Sequence, residues 1–403
     1  MDKPLLSIVI PVKNNTGTLE VTVETVLKQS YSNIEIVISN NSRQENLKQI
    51  VEKFNDSRIK YICPDETMNF SGDWNFSLTG ATGDYVTFLG DDDAALPVSY
   101  EIGMKYLIKN SQYVFTWKKL NYNWTNHIIP EKRNYISGDF NNEILILDSN
   151  KSLNKFRKFL IGYNQLPCIY NSIVPKEIIN RVKSKTKTGK FFGGIIPDVY
   201  SSFAVASEIN TYYYYNSPIT INGASDKSSG VLQGLKSLST EQKKLIPDAI
   251  NSGNRYHPDI GPFSSSIASI ALGEYLLAKE NINGFKGTQP VWFLYVLYLI
   301  REAKYSENPD KILAAATYTR NRKKIPLIVP SKVKSRKPNL VTNFKGNLKL
   351  NPKLINDVQA LSLLFSHVNT DEIKSKNQSF SRVLISTINF FKMKLINYIK
   401  FKQ

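Results

Sequence analysis

Ala81-Thr82-Gly83-Asp84-Tyr85-Val86-Thr87-Phe88-Leu89-Gly90-Asp91-Asp92-Asp93 carries a short run of aromatic and β-branched residues between two glycines and ends in three adjacent carboxylates. Such a run reads as a buried strand that stops at Gly90. Three neighbouring carboxylates repel one another at neutral pH, so a positive charge is expected to offset them. A hard divalent cation suits this role, because Mg²⁺ and Mn²⁺ take oxygen ligands and commonly bridge one or two carboxylates to phosphates. The alternative is a solvated acidic turn.

Working outward, the first 115 residues alternate between strand and helix, the pattern of a mostly parallel sheet. Leu6-Ser7-Ile8-Val9-Ile10 reads as a strand stopped by Pro11, and Leu19, Val23, Val26 and Leu27 then recur at helical spacing. A second strand over 34–38 ends in the polar turn Ser39-Asn40-Asn41-Ser42, and Leu47, Ile50, Val51 and Phe54 form the next helical stripe. A short strand over 59–62 and a helix around Trp74 complete the approach to the aspartates. Each polar cluster follows a strand, so 11–15, 39–42 and 91–93 are expected at one sheet edge, where open α/β sheets bind ligands.

The remaining chain reads as a second, mixed segment with strands at 113–117, 212–215 and 218–221, then a mainly helical one. Its longest apolar run, 290–300, is too short to cross a bilayer and reads as a buried helix with Trp292, Tyr295 and Leu299 inward. The expected division is 1–115, 116–230, 231–319 and 320–403. Of 403 residues, 41% are hydrophobic and 21% charged, which permits a packed core and argues against global disorder. Two cysteines, Cys63 and Cys168, suggest neither a disulfide framework nor a zinc site and fit a reducing compartment. No signal peptide is read at the N-terminus. The net charge of +18 is uneven: 320–403 holds 18 Lys or Arg against Asp357, Asp371 and Glu372. A basic tail on a near-neutral body points to an anionic partner. A stripe of Leu384, Ile388, Phe391, Leu395 and Tyr398 favours anionic lipid or the protein's own helical part over nucleic acid.

The N-terminal half resembles the family 2 glycosyltransferases, which have the GT-A nucleotide-sugar fold. The resemblance rests on Leu6-Ser7-Ile8-Val9-Ile10-Pro11-Val12-Lys13-Asn14, Gln29-Ser30-Tyr31, Ile34-Glu35-Ile36-Val37-Ile38-Ser39-Asn40-Asn41-Ser42, and Gly83-Asp84-Tyr85 running to Asp93, in that order. A looser likeness continues through Pro197-Asp198-Val199-Tyr200 and 218–225. It implies a Rossmann-like, mostly parallel sheet with flanking helices, to which the composition adds a mainly α-helical C-terminal extension. It also implies a metal-dependent, inverting transferase using a nucleoside-diphosphate sugar, UDP-linked, with Mn²⁺ or Mg²⁺ as cofactor. By the resemblance Asp93 is the metal ligand, Asp91 or Asp92 lies on the ribose side, and Pro11 and Lys13 begin the nucleotide pocket. Asn40 stands where the family usually offers an aspartate to the base, and an asparagine can still accept from a pyrimidine N–H.

Asp73 and Asn75 are expected beneath the nucleotide turn, and Ser225 and Lys227 near the diphosphate. Asp198 is the candidate general base, with a helix-start cap as its alternative reading. The expected setting is surface polysaccharide synthesis, with a saccharide or lipid-linked acceptor. The expected location is cytoplasmic, peripheral to the inner face of the cell membrane through the tail. A non-catalytic nucleotide-sugar or carbohydrate-binding protein on the same fold is the alternative.

Overall fold

The computed structural model describes residues 3–13, 16–42, 45–138, 140–233, 257–261, 266–306, 308–332 and 348–349. Its first part follows the expected alternation: β1 (Leu6–Val12), α1 (Thr16–Leu27), β2 (Ile34–Asn40), α2 (Glu45–Glu52), β3 (Ile59–Ile62), α3 (Phe70–Thr79) and β4 (Tyr85–Phe88). The strands pair in parallel in the order β3-β2-β1-β4. The chain first steps outward from β1 to β3 and then returns to β1's other side. This reversal opens a crevice at the carboxyl ends of β1 and β4, where Pro11, Lys13 and the aspartates sit. β1 does not stop at Pro11. It runs to Val12, with Pro11 opposite Ser39. Its β4 side is already unpaired beyond Val9, so a residue without an N–H costs no ladder bond there.

The second part adds β5 (Ala94–Ala95), α4 (Ser99–Leu107), β6 (Phe115–Asn123), β7 (Tyr135–Ser137), β8 (Ile144–Asp148), α5 (Ser149–Phe156), β9 (Ser172–Pro175), α6 (Lys176–Lys185), α7 (Pro197–Glu208) and β10 (Thr211–Ala224). β9 runs antiparallel between β4 and β6 and joins the two halves into one sheet. The two strands expected at 212–215 and 218–221 are one strand, β10, parallel to β6. Its register shifts on both sides of Pro218, where the missing N–H interrupts the ladder. Then come α8 (Ser229–Gln233), α9 (Ile267–Asn281), α10 (Trp292–Ala303), α11 (Pro309–Arg322) and the two-residue β11 (Leu348–Lys349). Most of the basic tail, including its amphipathic stripe, lies outside the described residues.

Two apolar clusters flank the sheet. One gathers β1, β2, α1 and α4 around Ile8, Ile36, Val23 and Tyr100. The other packs α5, α7, α9 and α10 through Phe156, Phe203, Tyr275 and Tyr295. The helical C-terminal part is therefore built on α7. The expected buried helix at 290–300 is only half buried. Tyr295, Val296, Leu299 and Ala303 face inward, while Phe293, Leu297 and Tyr298 are exposed. An apolar residue at every position says nothing about how many sides find a partner.

At the end of the sheet opposite the aspartates, Glu35 ties three strands together. Its buried carboxylate accepts from Thr82 N and Oγ1, Gly83 N and Ser7 Oγ and pairs with Lys60. Burial pushes its pKa up, but Lys60, Ser7 and Thr82 outweigh this and lower it to about 2. The folded value lies below the unfolded one, so this stabilisation is present above pH ~4.5 and is lost as pH falls towards 2. Glu35→Ala is expected to cost roughly 2–4 kcal/mol in denaturant unfolding at pH 7, because it orphans several donors. The difference from wild type should shrink in acid.

Candidate active site

Side-chain hydrogen bonds from α1 and its end set the aspartate turn. Thr18 Oγ1 donates to Asp91 O at 2.7 Å and Thr22 Oγ1 to Asp93 O at 2.8 Å. Ala95 N donates to Thr25 Oγ1 and Gln29 Nε2 to Leu96 O. Thr18, Thr22 and Thr25 lie on one face of α1, and Gln29 follows two residues past its end. This buried polar stripe holds the chain from Asp91 to Leu96. Sequence reading missed it, although the repeated threonines are its signal.

The three carboxylates then separate by environment. Asp91 is half-exposed at the mouth, whereas Asp92 and Asp93 are buried. Asp93 accepts from Gly90 N at 2.9 Å and Gly223 N at 2.7 Å, and the Tyr170 hydroxyl donates to it. Asp92 Oδ2 accepts from Ser225 N and Oγ and from Ser228 Oγ. Thus Ser225 reaches an aspartate of the triplet, and its neighbour Lys227 stays exposed. Burial pushes both buried carboxyls up, and Asp92's charge adds to the rise at Asp93, to about 7. Among the described residues neither is in an ion pair with a lysine or arginine. All donors here are oxygens, so the turn fits a hard cation. No cluster of three or more His, Cys, Asp or Glu forms a closed cage among the described residues. A cation would therefore be shared with a ligand's oxygens.

Around this turn, Lys13 lies over the Phe70 ring at 5.8 Å. Its positive charge opposes the burial that raises the Asp73 carboxyl to about 7. Pro11, half-exposed, ends the same edge. Asn40 is buried: its Nδ2 donates to Tyr61 Oη, and its Oδ1 accepts from Ser42 N and Oγ. Asn41 clasps Met68 by both backbone groups. Asn75 spends its amide on Ser71 O and on both backbone groups of Phe192. It thereby tethers α3 to the loop leading into α7.

Asp198 begins α7 after Pro197. It is half-exposed in the first turn of the helix. Burial raises its pKa, opposed by the positive charge of Lys119 and the N–H groups of Val199 and Asp198 itself. Its carbonyl receives Cys168 Sγ and Ser201 Oγ, so the backbone is anchored while the carboxylate faces the cleft charges. Lys119 Nζ stands 4.7 Å from the centre of the Tyr170 ring, and Tyr170 stacks on Trp74. Tyr170 therefore touches Asp93 with its hydroxyl while its face carries the cation that opposes burial at Asp198. Neither Lys119 nor Tyr170 was legible as a site residue, because β6 and the turn before β9 bring them in from distant sequence. The loop before Asp198 is held from the helical part: Glu274 Oε1 on α9 accepts from Ile195 N at 2.9 Å and Ile196 N at 2.7 Å. His257, by contrast, is paired with Glu280 away from the aspartates.

Close approach explains Gly223. A Cβ there would lie 1.7 Å from Asp92 O and 2.6 Å from Trp124 Nε1, which itself donates to Asp92 O. Gly223→Ala must push β10 off the aspartate turn and break the bond to Asp93. We expect a loss of roughly 2 kcal/mol or more in denaturant unfolding.

Known proteins bear on this arrangement in a consistent way. A model of glycosyl transferase family 2 matches residues 7–172. Two *Escherichia coli* proteins described as UDP-Glc:α-D-GlcNAc-diphosphoundecaprenol β-1,3-glucosyltransferases are 32% and 35% identical to this chain. Their alignments cover 28% and 34% of it and 44% and 51% of those proteins. A *Campylobacter jejuni* GalNAc(5)-diNAcBac-PP-undecaprenol β-1,3-glucosyltransferase is 28% identical over 38% of this chain and 47% of its own. The chain thus spans about half the length of these relatives. The stretch matched by the family model holds the β3-β2-β1-β4 crevice, the aspartate turn, Lys119 and Tyr170. Through residues 7–172 the chain is thus similar to glycosyl transferase family 2.

Proposed function

We propose that this protein is an inverting glycosyltransferase. It would move a sugar from a nucleoside-diphosphate donor, UDP-linked, to a saccharide on a lipid carrier during surface polysaccharide synthesis. The observation that carries this reading is that the aspartate turn and Asp198 meet at Tyr170, whose hydroxyl donates to Asp93 and feels the charge of Asp198. The first suits a diphosphate and the second suits deprotonation of a hydroxyl. The named activities of the glucosyltransferase relatives support the donor and acceptor classes.

Asp93, with Asp91 beside it at the mouth, would hold Mn²⁺ or Mg²⁺. The cation would supply charge neutralisation to the leaving diphosphate. Asp92 is committed to Ser225 and Ser228, so the ribose side falls to Asp91. Lys13 adds a positive charge at the end of β1. Asp198 accepts the proton of the acceptor hydroxyl as the sugar's new bond forms. Lys119 opposes the burial that raises its pKa, and a base whose pKa is moved towards working pH is the more efficient for it. Peripheral attachment to the inner membrane face through the basic tail belongs to the same proposal. Among the described residues no helix is long and apolar enough to cross a membrane.

A panel of nucleotide sugars, with and without Mn²⁺, scored by thermal shift and donor hydrolysis, tests the reading. Asp93→Asn should lose metal-dependent donor binding and keep its fold; binding as tight as wild type would move the metal elsewhere. Asp198→Asn should keep donor binding and lose transfer by ~10²–10⁴-fold. Donor binding without turnover in the wild-type protein, across donors and acceptors, would favour a binding protein. The charge of Lys119 makes a further, signed expectation. Asp198 must be ionised to act, so the rate falls as pH drops through its pKa. Lys119→Met removes the opposing cation, raises that pKa, and should move the acid limb of the rate profile to higher pH.

A further inference from the structure

Among the described residues the outer face of α10 is apolar and exposed. Phe293 is 44% exposed, Leu297 38% and Tyr298 43%. The stripe continues along the same face into exposed Arg301 and Lys304. The turn after α5 sits against this helix: Val291 N donates to Arg157 O, and the Phe159 ring lies 6.0 Å from Tyr298 and 5.5 Å from Tyr295. Phe159 has φ +58°, a left-handed backbone uncommon for a bulky residue. Its ring is held by Tyr295 and Tyr298, while the next residue, Leu160, projects 68% exposed. A strained turn thus thrusts an apolar side chain outward beside an apolar helix face.

We infer that this face, Leu160 with Phe293, Leu297 and Tyr298, docks on an anionic lipid bilayer. Charge selects the occupant. Lys155 is exposed in the last turn of α5, and Arg301 and Lys304 extend the helix stripe. Glu302, the one acid in α10, is turned to Ser266 and so does not face the stripe. The described start of the chain's own basic segment is already seated, with Lys323 over the Trp292 ring of α10 at 4.4 Å and Ile325 in the core. A second copy would present the same basic rim and meet like charge, whereas acidic headgroups complement it. Aromatic and leucine side chains beside lysine and arginine are also the composition of a helix lying in the interfacial plane.

The position has a use. Tyr163, three residues beyond Leu160, feels the charge of Asp198. The same short loop therefore runs from the docking face to the proposed base. This last link rests on the proposed transferase reading, but the docking itself does not.

Flotation of the full chain with vesicles of phosphatidylcholine and phosphatidylglycerol tests the inference at low salt and at 0.5 M salt, where charge contributions from the tail are screened. Leu160→Ser, Phe293→Ser and Leu297→Ser combined should weaken vesicle binding roughly ten-fold or more at high salt, with an unchanged melting temperature. Leu297→Trp should blue-shift on binding and be quenched by brominated lipid. This second variant decides the matter alone if the triple variant fails to fold. Binding unchanged in the triple variant, or no quenching at position 297, would overturn the inference. So would conversion of a dimer to a monomer by the triple substitution with vesicle binding intact, which would make the face a contact between copies. Loss of transfer in the soluble assay would leave these lipid readouts untouched, so the two failures can be told apart.

Discussion

Two carboxylates that cannot comfortably share a dry site organise this molecule. Asp92 and Asp93 are adjacent, buried and without an ion-pair partner among the described residues, so each needs hydrogen-bond donors from elsewhere. Those donors come from almost every part of the domain. Gly90 supplies one from the turn itself, Gly223 and Ser225 from the end of β10, Ser228 from the residue before α8, and Tyr170 from the turn before β9. The threonine stripe of α1 fixes the backbone from below. The closure of β10 over β5 and the aspartate turn is thus the geometric counterpart of an electrostatic problem.

The parallel half was legible because its signals are local. Short apolar runs stopped by polar turns place β1, β2, β3 and β4, and the order of the turns predicts a shared edge, which the sheet provides. The helix at 197–208 was visible from Pro197 and its apolar spacing. Legibility failed where the partner is remote. Lys119 sits in β6 among aromatic and polar residues with no pattern of its own, and only the β6–β9 pairing brings it over Tyr170. Asn75 was expected near the nucleotide, and nothing in its neighbours announces that its amide is matched to the backbone of Phe192. The half-buried state of α10 was also hidden. Periodicity reports a preference for burial, and the supply of covering surface is a property of the whole fold.

The two remote tethers, Asn75 and Glu274, act on neighbouring residues of one loop. Asn75 holds it at Phe192 from the nucleotide side, and Glu274 holds it at Ile195 and Ile196 from α9. Asp198 follows two residues later. Its position is therefore determined jointly by the family domain and by the helical part that follows it. A buried polar group satisfied from both sides is more exacting than apolar packing, because its loss leaves orphaned N–H groups in place of a cavity that can relax.

That sharing bears on how this chain could be recombined. The helices from α9 onward follow the matched family segment and might be taken for an interchangeable appendage. Glu274 argues otherwise: it is a carboxylate that α9 contributes to the backbone beside the proposed base, with Gly194 left bare so that it can approach. A chimera joining the first part of this chain to a foreign helical extension would inherit the sheet, the crevice and the aspartate turn. It would lose the strut behind Asp198 unless the incoming helix carried an acid at the same place. The seam between the sheet domain and the helical extension therefore does not lie at a linker, but runs through a loop hydrogen-bonded from both sides.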